Sequence, residues 1–491
     1  MTFIIYNDKL DVVPLWINGE ASPLNPKLFF EVVNAQENKT VHYAQGANEA
    51  DAKAAVDAAA AAFQPWSQTS YSHRRALLLK VADLLEQRAE EIARMQVLET
   101  SCAPAFANFL PRLTAPVLRE IASQISNCLA GTVCPTETND TYAFVTKEAV
   151  GPVLIISPWN SPTILGTRGI ASALAAGCTV VLKGSELCPA TYRLIVSVFE
   201  DAGLPKGCLN LVQAGRSEAA AVTEAIIAHP ELRKVEFIGS AGIGSSIGQV
   251  CMKYLKPILM ELGGKAPAII TRNANLSKAA QLCAFGAFTH HGQICMSTER
   301  IIVVKAVADE FTRLLKEAVE KEFSGGVGSA VTKASSDKVH NLLEGARKNG
   351  AKFLVGDNSY TGPHKAGLQP TIVTDLSYDD PLRDTESFGP SATLYVVEDE
   401  VEALRLANDT KSGLVASIWT DDAMQGLDMS KGLQFGSVHI NSTTINDGPT
   451  SAITGTKGSG WGSNSGSFGI NEFLVHKTVT LRKSEAPIEF K

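Results

Sequence analysis

The sequence predicts an α/β protein built of two strand-and-helix blocks, with a small β element outside both. Its 491 residues exceed what one ordinary core holds, so two large domains, or one domain with insertions, are expected. Short apolar runs alternate with helical segments along most of the chain, the pattern of βαβ units around a parallel sheet. Two further segments, TYAFVTKEAV (141–150) and EFLVHKTVTL (472–481), alternate with period two in the manner of edge or hairpin strands.

Taken in order, the first third is largely helical. An Ala-rich stretch (54–63) is a helix former interrupted by Asp57. Ser72 caps a long helix with Leu77, Val81, Leu84, Ile92 and Met95 on one face and Asp83, Glu86 and Glu90 on the other. From about 150 to 271 the period changes, and VLIIS (153–157), TVVLK (179–183), LNLVQ (209–213), VEFIG (235–239) and AIIT (268–271) are expected as strands of the first block. A second block begins near Asn275, with RIIVV (300–304), SATLYVV (391–397) and SIWT (417–420) as strands and a helix over 306–322. The unpaired edges of the two peripheral strands invite either another subunit or a hairpin within the chain.

Composition narrows the function classes. A hydrophobic fraction of 45% and a charged fraction of 19% fit a globular chain rather than a disordered one. A net charge of −7, with no lysine- or arginine-rich run, gives no support to nucleic-acid binding. No apolar run approaches the roughly 18 to 20 residues of a membrane span. The N-terminal MTFIIYNDKLDVVPLW lacks the parts of a signal peptide and the C-terminal APIEFK matches no lipidation or retention signal, so a cytoplasmic protein is expected. The nine cysteines are odd in number and scattered, without CxxC or Cys/His spacing, which points to neither a disulfide framework nor a metal site.

Several residues can carry chemistry. Cys295, in GQICMSTER between a helix and the strand RIIVV, is a nucleophile once its thiolate is stabilised, or one more structural thiol. Glu261 follows the strand-like PILM and precedes two glycines that let the backbone turn. In an apolar wall it has a raised pKa and serves as a general base, and otherwise it satisfies a turn. Asn160, just beyond VLIIS, can donate to a developing oxyanion or close an Asx-type turn before Pro162. FIGSAGIG follows a strand and opens a helix, so Gly239, Ser240 and the amides after them can face a pyrophosphate, although this is not the GxGxxG fingerprint. Lys183 and Glu186 end another strand of the same sheet, where an acidic residue can hold a ribose diol.

The order and spacing of PWN (158–160), LKGSE (182–186), FIGSAGIG (237–244), MELGGK (260–265), GQICMSTER (292–300) and ESFGP (386–390) resemble the aldehyde dehydrogenase superfamily, from about Trp16 to His476. The resemblance implies a Rossmann-like cofactor-binding domain (1–127 and 150–262), a second α/β catalytic domain (263–465) and a small β oligomerisation element (128–149 and 466–491). It implies Cys295 as nucleophile, Glu261 as base, and Asn160 with the Cys295 backbone N–H as oxyanion hole. Lys183 and Glu186 would bind the adenosine ribose, Ser240 with Gly239 the pyrophosphate, and Glu386 the nicotinamide ribose, with Trp159 and Phe388 packed around the cofactor. The peripheral strands match the family's oligomerisation element, which favours a homodimer or homotetramer.

PWNSPTILGTR and GQICMSTER look most like the salicylaldehyde, vanillin and benzaldehyde dehydrogenases, so an aromatic or bulky planar aldehyde is expected as the small-molecule partner. Arg168 belongs to that pattern and either reaches the mouth of the substrate pocket or is a surface helix arginine. The chain departs from the family at AITGTKGSGWG, where Ile453 replaces a phenylalanine, at Gly184, and in the loop INDGPTSAITG (445–455) where the family closes its substrate tunnel. Glu186 favours NAD by repelling a 2′-phosphate, while Lys183 tolerates NADP. The alternatives are a CoA-acylating or thioesterase-like enzyme on the same scaffold, and a catalytically retired homologue. Glu261 speaks for hydrolysis over acyl transfer to coenzyme A.

Overall fold

The structure is a computed structural model and describes residues 3–6 and 10–485, so the APIEFK segment and the extreme N-terminus lie outside the described residues. Two large sheets dominate. The first has the strand order Gly460–Trp461, Ile258–Leu262, Lys234–Gly239, Pro152–Ile156, Thr179–Lys183, Leu209–Val212, Trp16–Ile17, Glu20–Ala21. Its five central strands are parallel. They are mostly β-branched or apolar and buried on both faces, as parallel strands under helices must be.

Helices Pro104–Cys128, Pro162–Ala176 and Pro189–Ala202 cover one face, with Val153, Ile155, Val180 and Leu182 beneath them. Glu49–Ser67 and Ala219–Ala228 contribute to the core on the other face, around Leu154, Ile156 and Val181. The strand order reverses between Pro152–Ile156 and Lys234–Gly239. In open α/β sheets the crevice beyond the carboxyl ends at such a reversal is where ligands bind.

The second sheet runs Lys352–Val355, Thr371–Thr374, Ser391–Val397, Thr298–Val304, Ala266–Ile270, Val415–Trp419, Ser437–Ile440, parallel except at its first edge. AIIT, expected with the first block, pairs here instead, between Thr298–Val304 and Val415–Trp419. The two glycines after Glu261 are where the chain passes from one sheet to the other. Conversely Gly460–Trp461, late in the chain, returns to pair with Ile258–Leu262.

The peripheral segments pair with each other, antiparallel from Leu474↔Ala149 to Arg482↔Thr141, and Thr132–Cys134 adds a third strand. Leu474–Arg482 has no strand neighbour on its outer side among the described residues, and its side chains from Val475 onward are exposed.

Two helical expectations change in detail. The helix begins at Tyr71 with Ser70, not Ser72, as its cap, accepting from His73 N at 3.2 Å. The expected single helix is two, Tyr71–Gln87 and Ala89–Thr100, broken at Arg88. The Ala-rich stretch lies within Glu49–Ser67, started by a capping box of Asn48 and Asp51. No helix among the described residues is long and apolar enough to cross a membrane.

Candidate active site

A cavity of about 250 Å³ opens at the strand-order reversal, lined by Trp159, Asn160, Gly239, Ser240, Glu261, Gly263, Cys295, Lys338, Glu386 and Phe388 among others. A larger hollow of about 710 Å³, between Gln36 and Val319–Gly328, shares none of these residues. The smaller cavity gathers eight of the residues singled out from sequence. They come from both sheets, since SPWN, Gly239 and Glu261 stand at carboxyl ends of the first and Cys295 and Glu386 precede strands of the second.

Cys295 is held by a strained turn. His290 and His291 adopt left-handed backbone (φ 53° and 59°), followed by Gly292 at 68°. A Cβ on Gly292 would stand 2.1 Å from the Gly389 carbonyl oxygen, so only glycine fits there. The Gln293 carboxamide pins the turn: it donates to the His290 and Ser329 carbonyls at 3.2 and 3.3 Å and accepts from Val331 N at 3.0 Å. Of the nine cysteines, all free, Cys134 and Cys295 are half-buried and the other seven are buried.

The Cys295 thiol donates to Glu261 Oε1 at 3.6 Å. Burial pushes that thiol well above its ordinary pKa, the negative charges of Glu261 and Glu386 add to the effect, and Arg168 opposes it. A thiolate therefore needs a proton acceptor beside it, and Glu261 is there. Burial also raises the Glu261 carboxyl, with Arg168 pulling it back. Glu261 lies inside the strand Ile258–Leu262 rather than at a turn. The glycines after it serve a different purpose from the one expected: a Cβ on Gly263 would lie 2.0 Å from Glu386 Oε1, and Gly264 N donates to that oxygen at 3.1 Å. Burial, with Glu299 nearby, raises the Glu386 carboxyl to about 7.

Asn160 is buried and donates from Nδ2 to the Gln293 carbonyl at 3.1 Å, which ties it to the Cys295 turn. A carboxamide NH₂ carries two hydrogens, so one remains for a second acceptor. Trp159 and Phe388 meet edge to face with centroids 5.8 Å apart. Helix Ala241–Lys253 starts at Ser240 with its first residues exposed, which presents amide N–H groups to the end of the cleft. Lys183 closes the neighbouring strand Thr179–Lys183, and Glu186 lies just beyond its end. Glu186 is half-buried, and burial lowers the pKa of the Lys183 ammonium, with Glu186 opposing. The Glu386 carboxyl, amide N–H groups at a helix N-terminus and the Trp159 and Phe388 rings around one cavity are a set of groups that fits a dinucleotide. Among the described residues no group of three His, Cys, Asp or Glu side chains is placed to hold a metal ion.

Arg168 is not on the surface. Its side chain has 0% exposure, and it reaches Glu261 Oε2 at 3.0 Å and Asp447 Oδ2 at 2.9 Å. It thus links the carboxylate beside the thiol to the unusual loop 445–455. Sequence reasoning missed Asp447, 279 residues away. It also missed Lys338, for which a helix lysine at that position gives no local signal.

Glu299 was missed too, although it lies within GQICMSTER. It is buried, pairs with Lys265 at 2.5 Å, and accepts from Ser387 N at 3.0 Å and Phe388 N at 3.2 Å. Phe388 has a positive φ of 53°, so Glu299 holds a strained loop that carries Glu386. Glu299→Ala leaves Lys265 buried without its partner, which is expected to cost roughly 3 to 5 kcal/mol of stability. It should also weaken dinucleotide binding at least tenfold, as read by urea unfolding and by cofactor titration. Wild-type affinity in a folded variant would show that the loop does not depend on Glu299.

The sequence model of the Aldehyde dehydrogenase family matches residues 23–479. A vanillin dehydrogenase of Pseudomonas fluorescens is 38% identical over 477 residues, covering 96% of this chain and 98% of that protein. Among solved structures, a salicylaldehyde dehydrogenase from Pseudomonas putida G7 complexed with salicylaldehyde is similar with a TM-score of 0.93 and 33% identity, covering 98% of this chain and all of that one (100%). An NAD-dependent aldehyde dehydrogenase from Sinorhizobium meliloti is similar with a TM-score of 0.92 and 29% identity, over 98% and 96% of the two chains.

Proposed function

The chain belongs to the aldehyde dehydrogenase family, and from that premise we propose that it oxidises an aromatic aldehyde to the carboxylic acid through a thioester on Cys295, with NAD as preferred cofactor. The observation that carries this reading is one cavity holding a thiol, a carboxylate 3.6 Å from it and a carboxamide tied to the same turn.

In this reading Glu261 takes the Cys295 proton as sulfur adds to the aldehyde carbon. The second Asn160 N–H and the Cys295 backbone N–H stabilise the alkoxide, where one such donor is typically worth roughly 3 to 4 kcal/mol. Nicotinamide, when bound, supplies a hydride acceptor, and collapse of the alkoxide then leaves the thioester. Glu261, once again ionised, deprotonates the water that hydrolyses it. Trp159 and Phe388 would pack around a bound dinucleotide, Glu386 would accept from its nicotinamide ribose, and Gly239 and Ser240 would face its pyrophosphate. Lys183 and Glu186 would hold the adenosine ribose. Glu186 repels a 2′-phosphate, and burial disfavours the Lys183 charge that would answer it, which supports NAD over NADP.

The wall beside the thiol supports a planar substrate. Ala266, Ile294, Met296, Leu414, Val415 and Ile453 form one apolar cluster against Cys295, with Phe106 and Ile445 packed on it. Phe106 stacks on His290 with centroids 4.1 Å apart and planes 9° from parallel. Burial lowers the His290 pKa to about 3, so the imidazole is neutral and adds a flat uncharged surface. Similarity to enzymes named for vanillin and salicylaldehyde points the same way. The outer edge of Leu474–Arg482 supports a homodimer or homotetramer, and nine free thiols suit a reducing cytoplasm.

A screen of NADH and NADPH formation over aromatic and aliphatic aldehydes, without coenzyme A, tests the reading. Benzaldehyde-type substrates are expected to exceed short aliphatic ones in kcat/KM by roughly tenfold or more, as one or two buried apolar groups dictate. NAD should outpace NADP at matched concentration. A dependence on coenzyme A, or a preference for aliphatic aldehydes, would overturn it.

A further inference from the structure

A second buried carboxyl lies behind the proposed base. Glu236 is in the middle of the strand Lys234–Gly239, and the register pairs Ile238 with Glu261 and Glu236 with Leu259. Residues two apart on a strand share a face, so Glu236 and Glu261 point to the same side of the sheet. Helix Pro162–Ala176 covers that side, and its Gly169 comes so close that a Cβ there would stand 2.7 Å from Glu236 Oε2.

Glu236 is 0% exposed, and neither of its carboxyl oxygens has a hydrogen-bond partner. An acid buried in the centre of a sheet without a hydrogen-bond partner is costly in a way that a valine there would not be. Such a group calls for a role.

The charges that face it come from every neighbouring element. Arg168 on the helix attracts it, Glu261 on the next strand repels it, and Lys234 on its own strand attracts it. The Lys234 ammonium is already engaged by Glu472 Oε2 at 2.6 Å. The Asn464 carboxamide lies near enough to draw down the pKa of both Glu236 and Glu261, without a well-directed hydrogen bond to either. Beyond Arg168 are Asp447 and Cys295. Two buried carboxyls, Glu236 and Glu261, and the half-buried Asp447 therefore share one guanidinium, and only Glu261 and Asp447 touch it.

We propose that Glu236 is a positioning residue for the base: its carboxyl, gaining or losing a negative charge beside Arg168, sets how tightly Glu261 holds a proton. This rests on the reading of Glu261 as the base. Burial raises the Glu236 pKa to about 7, with Arg168 the main opposing influence, so it ionises near neutral pH. An ionised Glu236 repels the Glu261 charge and competes for Arg168, and both effects make Glu261 the stronger base. Without that charge Arg168 acts on Glu261 unopposed.

The test is the pH dependence of kcat, with an aldehyde whose hydrolytic step limits turnover, for wild type, Glu236→Gln, Glu236→Leu, Glu236→Asp and Glu261→Gln. In Glu236→Gln the acidic limb should move down by roughly one pH unit, as loss of a like charge at close range implies. The alkaline plateau should fall roughly threefold, as a weaker base implies. Glu236→Leu, which suits a buried strand, should give the same shift and keeps the test open if the amide variant does not fold. Glu236→Asp, which keeps a carboxyl, should return the limb toward wild type. A plateau that falls with the limb unmoved would show a merely structural role and overturn the proposal. Full turnover in Glu261→Gln would overturn the base reading itself, and this inference with it.

Discussion

Cys295→Ala is expected to reduce aldehyde-dependent NADH formation by a factor on the order of 10⁴ to 10⁶, the range seen when a covalent nucleophile is removed. No other thiol stands in for it. Seven of the other cysteines are buried, and burial raises Cys102 and Cys178 to about 11 and Cys208 to about 12. Cys134, which is partly exposed, lies in the small three-stranded sheet away from the cavity. The substitution removes a side chain on a turn pinned by Gln293 and Gly292, so folding and cofactor affinity should stay near wild type. Thermal unfolding and dinucleotide titration separate loss of chemistry from loss of structure. Retained turnover in a folded, cofactor-binding variant would rule out the thioester route.

Much of this was legible in the sequence because the chemistry and the strands leave local marks. TVVLK coincides with its strand, and VEFIG, SATLYVV and RIIVV fall on theirs within two residues, since apolar runs bounded by turn residues leave little choice. The illegible parts are contacts between distant segments. Helix Pro162–Ala176 is buried at every position, so it carries no amphipathic period to say which way Arg168 points. Its partner Asp447 belongs to a loop with no pattern of its own. Glu236 passed as an ordinary strand position because period-two alternation allows a charge on an outer face, and this sheet has none. Gly263 shows the same limit. Two adjacent glycines suggest a turn, yet the first of them is required by the approach of Glu386, which lies more than a hundred residues further along the chain.

Glu261→Gln is expected to permit one round of NADH formation per subunit and then slow steady turnover by roughly 10² to 10⁴, the usual worth of a general base. Two effects oppose each other in the first round. The amide cannot take the Cys295 proton, which slows thiolate formation. The carboxylate, though, also repels the thiolate, and removing it lowers the thiol pKa. Hydrolysis has no such compensation, because the attacking water loses its base outright. The acyl group should therefore accumulate on Cys295, visible as a mass increase on an acid-quenched sample and as a burst of NADH near one equivalent. In wild type the raised Glu261 pKa means that turnover increases as pH climbs through it, because the base works only when ionised. That limb should vanish in the variant. The glutamine also leaves Arg168 with Asp447 as its charged partner, so the loop 445–455 keeps its tie to Arg168, and substrate KM should change less than kcat. A burst of zero would move the role of Glu261 to thiol activation, and undiminished steady turnover would remove it from the mechanism.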